Sequence, residues 1–178
     1  SLDRVGKAGA KFDFDKTKWF NQQYLRAKNK EDLADELQII LKENNIKMDD
    51  GFVASVCNQL KERATFVKDM WIEGGYYFAA PTTYDEKTIR KKWKEDTPRF
   101  LSELKTRLEN ISDFSSVNIE IEFKKYLDDN DLGMGRLLPA FRLALTGLGM
   151  GPSLFDVASL LGKNETIKRM ELALKIIK

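Results

Sequence analysis

Residues 50–75 read DGFVASVCNQLKERATFVKDMWIEGG, the longest patterned stretch in the chain. Val53, Val56, Leu60, Ala64, Val67 and Trp71 recur at intervals of three, four or seven, which places them on one face of a helix. The spacing predicts a single helix over 50–73, stopped by Gly74-Gly75. Cys57 lies beside this stripe and reads as a buried thiol, with no neighbour in the sequence to lower its pKa. Arg63 falls about 60° from Leu60 at 100° per residue, just inside the edge of the stripe. Two readings fit that position. Its stem can cover the core while its head reaches water, or packing can hold the guanidinium rigid and aim it at a planar acceptor such as a base edge.

Outward from this helix the same period repeats. Upstream, Leu33, Leu37, Ile40 and Leu41 form a stripe over 31–44, ended by Asn44-Asn45. A helix over 16–28, capped at Asp15, carries Trp19, Phe20, Tyr24 and Leu25. Downstream, Tyr76 to Thr83 is aromatic and then turn-like, and reads as the junction of two subdomains. A charged helix follows over 85–95. Pro98 suits the first position of the next helix, after Thr97. Residues 117–123 alternate as a strand would, but Tyr126 and Leu127 extend the pattern to a helical one with Ser116 as cap. A further helix runs to about Thr146 with Pro139 near its start, and Gly147 to Pro152 is a turn. Helices from Ser153 to Leu161 and after an Asn164 cap complete the chain. No hairpin signal or repeat appears. The fold class is therefore all-α, in two consecutive helical subdomains, 1–78 and 79–178.

Composition sets limits on function. With 178 residues, 42% hydrophobic and 33% charged, the chain can bury a core. It has no histidine and one cysteine, which excludes a Ser-His-Asp triad, a Cys-His dyad, an internal disulfide and His or Cys-cluster metal sites. No apolar run approaches the ~18 residues of a membrane span. A cytoplasmic protein, with no membrane association and monomeric, is expected. The opening Ser1-Leu2-Asp3-Arg4-Val5 resembles mid-protein sequence, so a fragment is expected. Net charge is +2, with 13 basic and 13 acidic residues in 1–80 and 17 and 15 in the rest. A nucleic-acid partner would have to be held by local patches rather than a global field. Gly6-Lys7-Ala8-Gly9-Ala10-Lys11 lacks Walker spacing and reads as a connection. Asp128-Asp129-Asn130-Asp131 lacks the glycine and glutamate of a calcium loop and reads as a polar helix end. No catalytic pair and no metal site is assigned.

Several ordered segments resemble the bacterial-type glutamyl-tRNA synthetase family. Ser1 to Val5, Ala10-Lys11-Phe12-Asp13 and Lys18-Trp19-Phe20-Asn21-Gln22-Gln23-Tyr24-Leu25-Arg26 are similar to the stretch after its catalytic half. Phe141-Arg142-Leu143-Ala144-Leu145-Thr146-Gly147, Gly151-Pro152-Ser153-Leu154-Phe155 and Leu160-Leu161-Gly162-Lys163 are similar to segments further on, in the same order and spacing. The resemblance implies the C-terminal anticodon-binding region of a class I aminoacyl-tRNA synthetase. The whole enzyme would join glutamate to tRNA(Glu) with ATP and Mg in an N-terminal half. That half's His-containing signature is absent here, so no cofactor is expected in this chain and the chain is not expected to be catalytic. By position, Arg63 matches the family arginine that reads the third anticodon base, a cytosine. Gly151, Pro152, Ser153 and Leu154 match the turn that contacts the first, with Gly151 in place of the threonine of some relatives. Arg26, Lys28, Arg90, Lys91, Lys92, Lys94 and Arg142 are candidate phosphate contacts in the anticodon stem-loop, each also readable as part of a solvated face. The alternative function is a helical protein-interaction domain with no RNA role.

Overall fold

A computed structural model describes residues 13–177. The motif-like Gly6 to Lys11 segment, the matched Ser1 to Val5 segment and Ala10 to Phe12 of the next one lie outside the described residues. Among the described residues there are ten α-helices and one short 3-10 turn, and no strand. In chain order they are α1 (Phe14–Ala27), α2 (Lys30–Glu43), α3 (Asp50–Leu60), α4 (Val67–Gly74) with the 3-10 turn Gly75–Tyr77, α5 (Glu86–Lys92), α6 (Thr97–Glu109), α7 (Ser116–Asp129), α8 (Met134–Thr146), α9 (Leu154–Leu161) and α10 (Lys163–Ile176).

Short polar side chains start most of them by accepting an otherwise unpaired N–H of the first turn. Asn29 accepts from Asp32 (2.7 Å), Asp49 from Phe52 (3.0 Å) and Asp85 from Thr88 (2.7 Å). Three caps differ from expectation by a residue or two. Asp13 rather than Asp15 caps α1, accepting from Lys16 at 3.1 Å, and Ser115 rather than Ser116 caps α7. Asn164 lies inside the first turn of α10, whose cap is Gly162, the same glycine that closes α9. Its φ of +79° explains the glycine there.

The single helix expected over 50–73 is two. α3 ends at Leu60, and the Arg63 and Ala64 N–H groups both return to the Leu60 carbonyl (2.9 and 3.1 Å). Asp69 then accepts from the Thr65 and Phe66 N–H groups at 3.0 and 2.8 Å, offering the backbone a local alternative to continued helix. Arg63 therefore sits in an exposed turn, not on a helix at the edge of an apolar stripe. Periodicity hides the break because Ala64, in the turn, still faces the same core as Leu60 and Met70.

Two apolar cores form. One gathers Leu33, Leu37, Leu41, Val53, Val56 and Leu60 with Tyr76, Tyr77 and Phe78. The other gathers Leu101, Leu104, Ile119, Phe123, Phe141 and Met170. The helices do not keep wholly to one side: Val157 of α9 is buried in the first core, and Leu161 packs against both. Burial pushes the Cys57 thiol up to about 12. The Asp128–Asp131 segment is the polar end of α7, with Asp129 paired to Arg107 at 2.7 Å.

Arg169 of α10, 2% exposed, is the charged side chain at the centre of the contact between the cores. Its Nη1 donates to the Tyr76 carbonyl at 2.6 Å and the Leu145 carbonyl at 2.8 Å, and its Nε donates to Glu165 Oε1 at 2.7 Å. Arg169→Ala would strand two buried carbonyls and leave a void. Urea unfolding should show a loss of about 3–5 kcal/mol, the range for breaking a buried charge network. A loss under 1 kcal/mol would show that Arg169 is incidental to the join.

Candidate nucleic-acid interface

The turn between α8 and α9 is held on both sides. Gly147 ends α8 at φ +73°, and a Cβ there would lie 2.5 Å from the Thr83 carbonyl oxygen and 2.9 Å from Pro81 Cβ. Its carbonyl accepts the Asp85 N–H at 2.8 Å. The Thr146 hydroxyl donates to the Arg142 carbonyl (2.9 Å) and accepts from the Leu148 N–H (3.1 Å). Gly149 comes so close to Thr88 Oγ1 that no side chain fits between them. At Gly151 a Cβ would lie 2.9 Å from Arg142 Nη1 and 3.9 Å from the Tyr76 hydroxyl. Glycine thus lets the backbone approach a guanidinium directly.

Arg142 is half-buried, and its Nη1 is buried with no acceptor among the described residues. Burial holds its pKa below the usual arginine value. The Tyr76 hydroxyl opposes that shift, and the nearby positive charge of Arg63 adds to it. Arg63 also acts on Tyr76, whose hydroxyl burial pushes up. The Tyr76 and Tyr77 rings are 4.6 Å apart between centroids, and the Tyr77 hydroxyl donates to Gln59 Oε1. Gln59 Nε2 in turn donates to the Asp156 carbonyl of α9 at 3.2 Å. The Arg142 guanidinium thus lies beside a glycine-lined turn and near the Tyr76 hydroxyl, and the Arg63 charge is within electrostatic reach of both.

The turn that carries Arg63 is anchored from α1. Arg26 Nη2 donates to the Glu62 carbonyl at 3.1 Å while its Nε pairs with the Glu62 carboxylate at 3.1 Å, and Asn21 Nδ2 donates to the Thr65 carbonyl. Arg26 is thus engaged in positioning Arg63. Lys28 pairs with Glu36, which raises its pKa, and lies 5.5 Å from the Tyr24 ring centroid. Arg90 pairs with Glu86 at 3.3 Å. Lys91, Lys92 and Lys94 are exposed. Pro152 is half-buried and Ser153 is exposed at the start of α9, where no side chain caps the helix. Leu154 is 2% exposed and belongs to the second core, so its side chain is not available to cradle a base. The backbone N–H groups of this first helical turn remain as donors.

The sequence gives no sign that Arg63 and Arg142 act on each other, and it places Tyr76 and Tyr77 at the junction of two subdomains without showing their burial. Their aromatic character was the available signal, since exposed linkers seldom carry three consecutive large aromatic residues.

The geometry, an unpartnered guanidinium against a glycine-lined backbone turn with a second cation in electrostatic reach, suits an anionic or acceptor-rich ligand. Comparison with known proteins agrees. A family model described as an anticodon-binding domain matches residues 32–174, and the chain belongs to that family. The glutamate–tRNA ligase of Phocaeicola vulgatus is 44% identical over 177 residues, 99% of this chain and 35% of that protein. That of Flavobacterium psychrophilum is 46% identical over 173 residues, 97% of this chain and 34% of that protein. The crystal structure of a glutamate–tRNA ligase from Elizabethkingia meningosepticum superposes with a TM-score of 0.92 at 36% identity, covering 100% of this chain and 35% of that one. The chain thus spans about a third of the length of these relatives and is similar to their anticodon-binding region. Among the described residues no helix is long and apolar enough to cross a membrane.

A buried, unpartnered cation beside a second cation costs stability in the free protein. Arg142→Met should therefore raise resistance to urea by about 1 kcal/mol, in contrast to Arg169→Ala. A loss of 2 kcal/mol or more would mean that Arg142 is a structural residue.

Proposed function

We propose that this chain recognises the anticodon loop of tRNA(Glu), within a longer protein that attaches glutamate to that tRNA with ATP. The observation that carries the reading is the unpartnered Nη1 of Arg142 against Gly151, with the exposed Arg63 close enough for its charge to act on Arg142. Cytosine offers adjacent O2 and N3 acceptors on its pairing edge, and the fork of Arg63 can donate to both. Guanine presents donors at N1 and N2 and is repelled by the same fork. Arg63 would thereby separate glutamate from glutamine anticodons at the third base. Gly151, Pro152 and Ser153 would receive the first base against backbone, with the N–H of Leu154 rather than its side chain. As the family's ATP and glutamate chemistry belongs to the part outside this chain, the chain by itself would act as a monomeric binding module.

Arg63→Ala should keep its helix content, since Arg63 lies in an exposed turn. It should weaken binding to a loop whose anticodon ends in cytosine by about 1–3 kcal/mol, the usual worth of a bidentate base contact. Preference over an anticodon ending in guanine should fall with it. Arg63→Lys should not restore it, because an ammonium cannot span two acceptors. The measurement is competition binding with the two loops side by side. Equal loss on both would assign Arg63 to phosphate or packing instead.

The isolated chain should also give no ATP–pyrophosphate exchange with glutamate. Exchange by the purified chain would refute the division of labour.

A further inference from the structure

Leu148, Gly149 and Met150 of the Gly147–Pro152 turn also line a second concavity, with α5. Its walls are Lys87, Thr88 and Lys91 of α5 with the capping Asp85, and its floor is Leu148, Gly149 and Met150. Lys87 and Lys91 are four residues apart on α5 and so lie on one face, with their Cβ atoms about 6 Å apart. Both are exposed, and neither forms an ion pair among the described residues, whereas the adjacent Arg90 is engaged by Glu86. Asp85 is the only acidic group in the groove. The Thr88 side chain and then its N–H, which donates to the carboxylate at 2.7 Å, help hold it ionised, and one such charge does not cancel two ammonium groups.

The floor is apolar and unusually open. Met150 is 84% exposed and Leu148 43%. The Gly149–Thr88 contact and the Asp85–Gly147 hydrogen bond fix this floor rigidly to α5. Large apolar side chains flanked by free ammonium groups fit a ligand that has exposed planar faces and regularly spaced negative charge. A single nucleic-acid strand has both, and a duplex buries its base faces. An acidic peptide would supply charge at isolated points. Two ammonium groups four residues apart on one helix face match the spacing of successive phosphates, which favours a polyanion.

We infer that this groove holds the sugar–phosphate backbone of a single-stranded RNA loop. Lys87 and Lys91 pair with successive phosphates, and Met150 with Leu148 packs against the sugar or base between them. The inference rests on the anticodon-loop reading above and extends it to residues that contact backbone rather than base edges.

The test titrates the 178-residue chain with a hairpin RNA carrying the glutamate anticodon loop, and with a blunt RNA duplex of equal length, across a salt series. Lys87→Gln with Lys91→Gln should reduce the slope of log K against log salt by about 1.4, at about 0.7 per single-strand phosphate, or roughly 20-fold in affinity at 0.1 M relative to 1 M salt. Met150→Ser should lower hairpin affinity several-fold at an unchanged slope. Both variants should keep the preference for cytosine over guanine at the third base, which Arg63→Ala loses. Lys175→Gln on α10 serves as the charge control and should change neither. An unchanged slope in the double variant, an equal loss on the duplex, or an equal effect of Lys175→Gln overturns the groove assignment. If the groove variants are silent while Arg63→Ala still loses discrimination, the anticodon reading stands without the groove. If the unaltered chain fails to bind the hairpin, both fall.

Discussion

Arg169 reaches two carbonyls that the helices around it cannot satisfy. Tyr76 lies in the 3-10 turn that closes the first unit, and Leu145 in the last turn of α8. Carbonyls at such ends lack intrahelical partners and carry the negative end of the helix dipole. One buried cation from α10 answers both, and Glu165 balances it from a turn away. The register between the two units follows from that contact. Tyr76 is fixed relative to the end of α8, and with it the position of the Tyr76 hydroxyl near Gly151.

Arg142 is the counterpart. It leaves α8 one turn before Leu145, but its Nη1 ends beside Gly151 with nothing to donate to. The two arginines have the same chemistry and opposite circumstances. The satisfied one joins the units, and the unsatisfied one has no acceptor among the described residues. Functional surfaces commonly carry this kind of local cost, met by stability elsewhere in the fold.

Rigid support runs behind each half of the site. Arg26 and Asn21 of α1 hold the turn that presents Arg63, while Gln59 links Tyr77 to α9. α5 clamps the Gly147–Pro152 turn through Thr88 and the Asp85 N–H. The reading residues are thus on turns, but the turns are tied to helices. A turn so tied can present donors at fixed positions without the entropic cost of ordering them on binding. α1 itself keeps Trp19, Phe20 and Tyr24 exposed, although its Leu25 is buried in the first core.

Local chemistry determined much of this in the sequence. The three- and four-residue spacing of Leu33, Leu37 and Leu41, or of Leu101, Leu104 and Leu108, has one low-energy solution, an amphipathic helix. Tyr126 and Leu127 decided helix over strand for α7, and Asn29, Asp49 and Asp85 stand where N–H groups need acceptors. The order of the Phe141–Gly147 and Gly151–Phe155 segments pointed to the family. Other features were beyond a one-dimensional reading. The break at 61–66 leaves the apolar register unchanged, so periodicity could not show it, and only the bonds from Thr65 and Phe66 to Asp69 do. Leu154 looked like a contact residue because motif position does not reveal which way a side chain faces. The electrostatic reach of Arg63 to Arg142, the burial of Tyr76 and Tyr77, and the groove at Lys87 and Lys91 were decided by tertiary structure alone. Each depends on how one helical unit is rotated against another, and that rotation is set by the buried Arg169 contact between residues far apart in the chain.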